Sequence, residues 1–164
     1  MKKKINLLPE HIINQIKAGE VVESPSTLLK ELIENSIDAH ATKIYIKVSK
    51  NLTDHLIVSD NGHGMDSDDI PLAFTRHATS KIKGFQDIYS IYSFGFRGEA
   101  LASIASVAQV SIISNDERSE GSEISVIDGN LSDVIPAPKI DGTQITIRDL
   151  FYNTPARKKF LKTP

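Results

Sequence analysis

Five short strands arranged in hairpins constrain this 164-residue chain more than any other feature of its sequence. Lys43–Ser49 alternates between apolar and polar residues and reads as a strand. Leu56–Ser59 reads as a second, reached through a turn over residues 51–54. Val110–Ser114, Ser122–Ile127 and Thr143–Arg148 read as three more, with turns at Asp128-Gly129 and Asp141-Gly142. Within each group the strands follow one another directly. A parallel pair would need a crossover of roughly a dozen residues or more, so a doubly wound fold does not fit. The pattern predicts an α+β fold, a two-layer α/β sandwich with a mixed, largely antiparallel sheet.

Helical signals fall around those strands. Pro9–Ala18 reads as a helix with Ile12, Ile13 and Ile16 on its apolar side and Gly19 as its stop. Ser24 is a good N-cap and Pro25 suits a first helical position, so a second helix starts there. At roughly 100° per residue, its Leu28, Leu29, Leu32, Ile33 and Ile37 form one apolar stripe. Asp66 or Ser67 can cap a helix reaching His77, with Pro71 tolerated only in the first turn. Glu99–Ala108 reads as a helix with Leu101 and Ile104 facing inward, and Asn153-Thr154-Pro155 opens a last, basic one. Residues 78–98, polar and broken by glycines, read as a long functional loop. Asn115–Glu123 reads as a solvated hairpin tip.

Composition narrows the function classes. Cysteine is absent, which excludes disulfides and thiolate metal centres. No apolar run approaches the length of a membrane span, and the basic start Met1-Lys2-Lys3-Lys4 is followed by Asn6, Pro9, Glu10 and His11, unlike a signal peptide. Net charge is −2, so any nucleic-acid contact needs a local patch, and Arg157, Lys158, Lys159 and Lys162 supply the visible one.

The chemistry centres on the second helix. Glu31, Asn35 and Asp38 fall within roughly 60° of one another, opposite the apolar stripe. No Lys or Arg balances the acids on that face, although Lys30 and Glu34 can pair beside it. Asn is a mediocre helix-interior residue, so an Asn between carboxylates suggests a metal or ligand site. The common phosphate-binding and nucleophile motifs are missing, and the five histidines show no metal-ligand spacing. What remains is complementary: magnesium takes oxygen ligands and keeps waters and phosphate oxygens, so one Asn oxygen beside a triphosphate suffices. Glu31, one turn away, can then orient or deprotonate an attacking water. Asp60, at a strand end before Asn61-Gly62-His63-Gly64, can accept a hydrogen bond from a purine amino group. Gly95-Phe96-Arg97-Gly98 precedes a helix start, where free N–H groups suit an anion.

Five blocks in order resemble the MutL-type DNA mismatch-repair proteins: Ile16–Ala39 (IKAGEVVESPSTLLKELIENSIDA), Ser59–Met65 (SDNGHGM), Arg76–Ile82 (RHATSKI), Gly95–Ile104 (GFRGEALASI) and Asp149–Phe160 (DLFYNTPARKKF). Those proteins belong to a superfamily with DNA gyrase, the large heat-shock chaperone and histidine kinases. The resemblance implies the Bergerat ATP-binding fold with a movable lid, and magnesium-dependent ATP binding with slow hydrolysis. It implies Glu31 as catalytic base, Asn35 as magnesium ligand and Asp60 as adenine contact, with Asp38, Gly62 and Gly64 shaping the base pocket. Thr79, Ser80 and Lys81, then Phe96, Arg97, Gly98, Glu99, Ala100 and Leu101, would belong to the lid and phosphate contacts, and Thr143 would stand behind the base. His40 departs from the glycine common in the family, and His63 fills a variable position. On the same resemblance, residues 1–164 form an N-terminal ATP-binding domain, and a second ATPase subdomain and a C-terminal dimerisation domain lie outside them. Its implied partners are a second subunit (homo- or heterodimer), a mismatch-recognition protein, a repair nuclease or helicase, and DNA bound weakly and without sequence preference. The implied location is cytoplasmic and nucleoid-associated in a bacterium, or nuclear in a eukaryote, with no membrane. Two alternatives stand beside it: a nucleotide-responsive interaction module with negligible hydrolysis, and a type II topoisomerase ATPase domain.

Overall fold

A computed structural model describes residues 7–9, 13, 24–50, 53–75 and 100–160. Apart from Pro9 and Ile13, the helix expected over Pro9–Ala18 lies outside the described residues, as does the loop expected over residues 78–98. Helix α1 spans Pro25–Asp38. Strand β1 (Ile44–Val48) and strand β2 (His55–Asp60) follow, then a 3₁₀ turn over Ile70–Phe74 and a short helix α2 (Ala100–Ala105). The remainder is β3 (Gln109–Ser114), β4 (Gly121–Ile127), β5 (Asn130–Leu131), β6 (Ile135–Ala137), β7 (Thr143–Arg148) and helix α3 (Pro155–Phe160).

The seven strands form one sheet in the order β1-β2-β7-β3-β4-β5, with β6 also on β4. Every pairing among the described residues is antiparallel. The α+β sandwich expected from the hairpins is therefore the fold, and the sheet is of the antiparallel kind. Alternation sets its two faces. Leu56 and Val58 on β2, Val110 and Ile112 on β3, Ile124 and Val126 on β4, and Ile145 and Ile147 on β7 are buried. They pack with Leu28 and Leu32 of α1, Ile70, and Ile104, Ala105, Val107 and Ala108 from α2 and the turn after it. Burying a side chain of this size is worth about 1.5–3 kcal/mol, so this single core supplies most of the driving force. β1 is an edge strand, and Tyr45, Ile46 and Val48 on it are exposed.

Helix α1 begins as its sequence dictates. Ser24 has extended backbone angles, its hydroxyl accepts the Thr27 N–H at 3.2 Å, and Pro25 opens the helix. Lys30 and Glu34 pair at 3.6 Å. The buried row, however, is Leu28, Leu32 and Ser36, not a stripe ending at Ile37, which is 44% exposed. Spacing of four residues sets that row, and Ser36 is admitted because its hydroxyl is satisfied inside. At the other end, Ala41 N–H reaches Ser36 O at 3.1 Å and His40 N–H reaches Ile37 O at 2.9 Å. That is a Schellman closure, which needs a left-handed residue, and His40 takes the role with φ 60°. A left-handed L-residue costs about 1–2 kcal/mol, and glycine loses about 0.5–1 kcal/mol to extra freedom in the unfolded chain. His40→Gly is therefore expected to raise the thermal midpoint by about 2 °C, read by calorimetry, whereas an unchanged or lower midpoint would show that the cap is not strained.

Two helix boundaries differ from the sequence expectation, and a third helix starts as expected. The segment after Asp66 is a 3₁₀ turn starting at Ile70, because Asp66 Oδ1 takes the N–H groups of Asp68 and Asp69 into a separate turn. Pro71 duly sits in the first turn. Helix α2 ends at Ala105, followed by turn bonds from Ser106 to Ser103 and from Val107 to Ile104. α3 opens at Pro155 as expected, with the Thr154 hydroxyl buried without a partner among the described residues, so the cap is backbone only. The hairpin tip is less solvated than expected: Asn115 is buried, and its Oδ1 accepts the Ile140 N–H at 2.9 Å. Beyond it, hydrogen bonds from the Ser119 side chain and the Arg118 backbone hold the Asp116 carboxyl below the usual carboxylate range. Its contribution is present above that range and is lost as pH falls through the lowered value. Asp128 and Gly129 both have positive φ, the signature of the two-residue turn that joins β4 to β5.

Candidate active site

Three strand ends and one helix converge on Asp60. The β2–β7 register sets Asp60 opposite Thr143, and the β3–β7 register sets Ser114 opposite the same Thr143. All three continue the inward-facing series of their strands, so the apolar core gives way to a buried polar floor at this edge. Asp60 is 7% exposed, and both its oxygens are held. Ser36 Oγ donates to Oδ2 at 2.8 Å, and Gly62 N–H donates to Oδ1 at 2.9 Å. A carboxylate has lone pairs for further donors and offers no proton, so this floor selects a ligand that donates. On the next strands, Ser114 Oγ accepts the Met65 N–H at 2.9 Å and lies 2.8 Å from Thr143 Oγ1 and 3.1 Å from Gly142 O.

The loop after Asp60 is pinned on both sides. Asn61 Oδ1 accepts the N–H groups of Thr42 and Lys43 at 2.9 and 2.8 Å, and its Nδ2 donates to Thr42 Oγ1. His63 N–H donates to Ala39 O at 3.0 Å, tying the loop to the end of α1. Glycine is required where backbone closes on backbone. A Cβ on Gly64, at φ 67°, would lie 1.9 Å from Asn115 O. One on Gly62 would lie 2.7 Å from Ala39 O and 3.0 Å from Asp60 Oδ1, filling the space beside the carboxylate.

Of the residues the sequence marks, Glu31, Asn35 and Asp38 lie along α1, all half-buried, while Lys30 and Ile37 are exposed. Asp60, Gly62, Gly64 and Thr143 come together at the floor, and α1 reaches them through Ser36. Ala100 and Leu101 form the first turn of α2 and are half-buried. Thr79, Ser80, Lys81, Phe96, Arg97, Gly98 and Glu99 lie outside the described residues. Two floor residues are given no role by the sequence: Ser36, which lies within the Ile16–Ala39 block four residues after Leu32, and Ser114, a polar end to an apolar strand. Among the described residues there is no group of three or more His, Asp or Glu side chains able to hold a metal, and no helix long and apolar enough to cross a membrane. Magnesium needs no such group when phosphates complete its shell, and the Asn35 amide oxygen one turn from the Glu31 carboxylate is the donor type it takes.

Residues 23–146 match the family model described as histidine kinase-, DNA gyrase B- and HSP90-like ATPase. The chain is 49% identical over 160 residues to the DNA mismatch repair protein MutL of Elusimicrobium minutum, covering 98% of this chain and 26% of that protein. It is 50% identical over 161 residues to the MutL of Thermosipho africanus, covering 98% of this chain and 28% of that protein. The chain thus spans about a quarter of the length of these curated relatives. Among solved structures, it is similar to the Aquifex aeolicus MutL ATPase domain complexed with ADP, with TM-score 0.61 and 35% identity over 87% of this chain and 49% of that one. A crystal structure of the N-terminal domain of a DNA repair protein matches with TM-score 0.75 and 30% identity, over 92% of this chain and 43% of that one.

Proposed function

We propose, of a chain that belongs to the histidine kinase-, DNA gyrase B- and HSP90-like ATPase family and to its MutL-type branch, that it is the ATP-binding and ATP-hydrolysing part of a DNA mismatch repair protein. The observation that carries this reading is the Asp60 floor: a buried carboxylate with both oxygens fixed, open to one more donor, at the foot of the helix that bears Glu31 and Asn35. The amino group of adenine is such a donor. In this reading Gly62 leaves room for the flat base, Thr143 backs it, and Asp38 lines the pocket. Asn35 holds magnesium, which would neutralise phosphate charge, and Glu31 orients and deprotonates the attacking water. The segments around Lys81 and Arg97 contact the phosphates and form the lid.

Nucleotide then works as a switch: ATP draws two subunits of the longer protein together, and slow hydrolysis releases them to downstream repair factors. DNA contact is weak, through phosphates. It falls on Lys158 and Lys159 of α3, since the Arg157 guanidinium lies 5.6 Å over the Phe151 ring. The topoisomerase alternative is not favoured, since the relatives at 49–50% identity are MutL proteins.

Glu31→Ala is expected to retain ATP binding and lose turnover by about 10²–10⁴-fold. Asn35→Ala is expected to lose the magnesium dependence of binding. Both are measured by titration and phosphate release with the longer protein. If Glu31→Ala abolishes binding instead, its assignment as base is wrong, and binding by Asn35→Ala that still responds to magnesium removes the ligand assignment.

A further inference from the structure

His40 and His63 have no part in the reading above, yet the fold brings them together. Their ring centroids are 6.5 Å apart with planes at 66°. The approach is fixed by backbone, because the His63 N–H is bonded to the carbonyl of Ala39, the residue before His40. His40 is held in its left-handed conformation by the closure of α1. The His63 ring is oriented too: its Nδ1 lies 2.9 Å from Gly64 O. A nitrogen facing a carbonyl must carry the proton in neutral imidazole, which leaves Nε2 with its lone pair free to bind. Metal-ligating histidines characteristically donate their other nitrogen to a carbonyl in this way.

The electrostatics favour a cation at the same point. His40 sits at the C-terminal end of a 14-residue helix, where the aligned peptide dipoles amount to about half a negative charge. The last turn of that helix contains no basic residue to offset it.

We infer that His40 and His63 form a two-imidazole site for a divalent transition metal of the Zn²⁺, Ni²⁺ and Cu²⁺ class, on the rim beside the Asp60 floor. It is chemically distinct from the oxygen site for magnesium, since imidazole suits the later transition metals and magnesium prefers oxygen. Metal–nitrogen bonds of about 2.0–2.1 Å place two ligating rings with centroids about 5 Å apart, so the rings close by about 1.5 Å on binding. Both side chains are exposed and can make that rotation. Water completes the shell.

The test uses the untagged, nucleotide-free chain titrated with NiCl₂ alone, followed by calorimetry, with MgCl₂ as the comparison ion. One saturable nickel equivalent is expected, and none for magnesium at the same concentrations. His40→Asn, which tolerates the left-handed backbone, and His63→Gln are each expected to weaken nickel binding at least tenfold. Cu²⁺ bound to the parent chain should show two nitrogen ligands by electron paramagnetic resonance, a readout that needs no variant. Unchanged nickel affinity in both variants, no saturable binding by the parent chain, or a copper spectrum with fewer than two nitrogens would overturn the site.

Discussion

Asp60→Asn is expected to bind ATP on the order of 100-fold more weakly than the parent chain while remaining folded. The magnitude follows from what the carboxylate does. It accepts the Ser36 hydroxyl and the Gly62 N–H, and in the proposed complex a purine amino group as well. An amide keeps the shape but turns one acceptor into a pair of donors. Whichever way it flips, an N–H₂ group faces either the hydroxyl or the Gly62 N–H, and the ligand loses a hydrogen bond to a charged group, worth about 1.5–3 kcal/mol. The cost to folding is smaller than a typical domain's stability, so circular dichroism should show a native chain. Ser36→Ala removes one of the two donors that hold Asp60 and leaves the carboxylate itself, so about a tenfold loss is expected. Equal ATP affinity in the parent and Asp60→Asn, measured by calorimetric titration, would mean that the base sits elsewhere.

The second large effect is on folding itself. Gly64→Ala should cost about 2–5 kcal/mol, lowering the thermal midpoint by about 10 °C. Two terms add. The residue sits at φ 67°, and its new Cβ would fall 1.9 Å from the backbone oxygen of Asn115. That oxygen has no rotamer to yield with, and Asn115 is itself locked, its side chain accepting the Ile140 N–H and its N–H donating to Gly142 O. Gly129→Ala makes an internal comparison. Its φ is 78°, but a Cβ there meets nothing within 4 Å, so only the backbone term of about 1–2 kcal/mol remains. Equal losses in the two variants would show that contact with Asn115 is unimportant.

Much of the architecture is legible in the sequence. The five longer strands each carry several alternating residues, and alternation is what a half-buried strand imposes. The start of α1 was equally plain, because Ser24 and Pro25 are the residues a helix end demands. β5 and β6, of two and three residues, are too short to show a period and owe their existence to pairing with β4. The end of the α1 row is hard to read from sequence for a related reason. Hydrophobicity ranks Ile37 above Ser36, but the partner at the end of that row is a carboxylate, which takes a hydroxyl donor and not an apolar side chain. Of the site, Asp60 and its glycines announced themselves through the turn they form. Ser114 did not, since a serine closing an apolar strand looks like any strand end until Met65 and Thr143 are seen beside it.

The placement of Asp60 at the end of β2 has a consequence for how such a chain tolerates insertions and deletions. Asp60 faces inward because it is two residues after Val58 and four after Leu56, so pocket and core share one parity. Removing Ser59, which separates Val58 from Asp60, turns the carboxylate to the opposite side of the sheet, however conservative the remaining side chains. Removing two neighbouring residues of β2 preserves its side and shortens its reach. Drift in length along β2 is therefore confined to even steps, and a lineage that took an odd one would keep an apolar core and turn the Asp60 carboxylate away from Ser36 and Gly62.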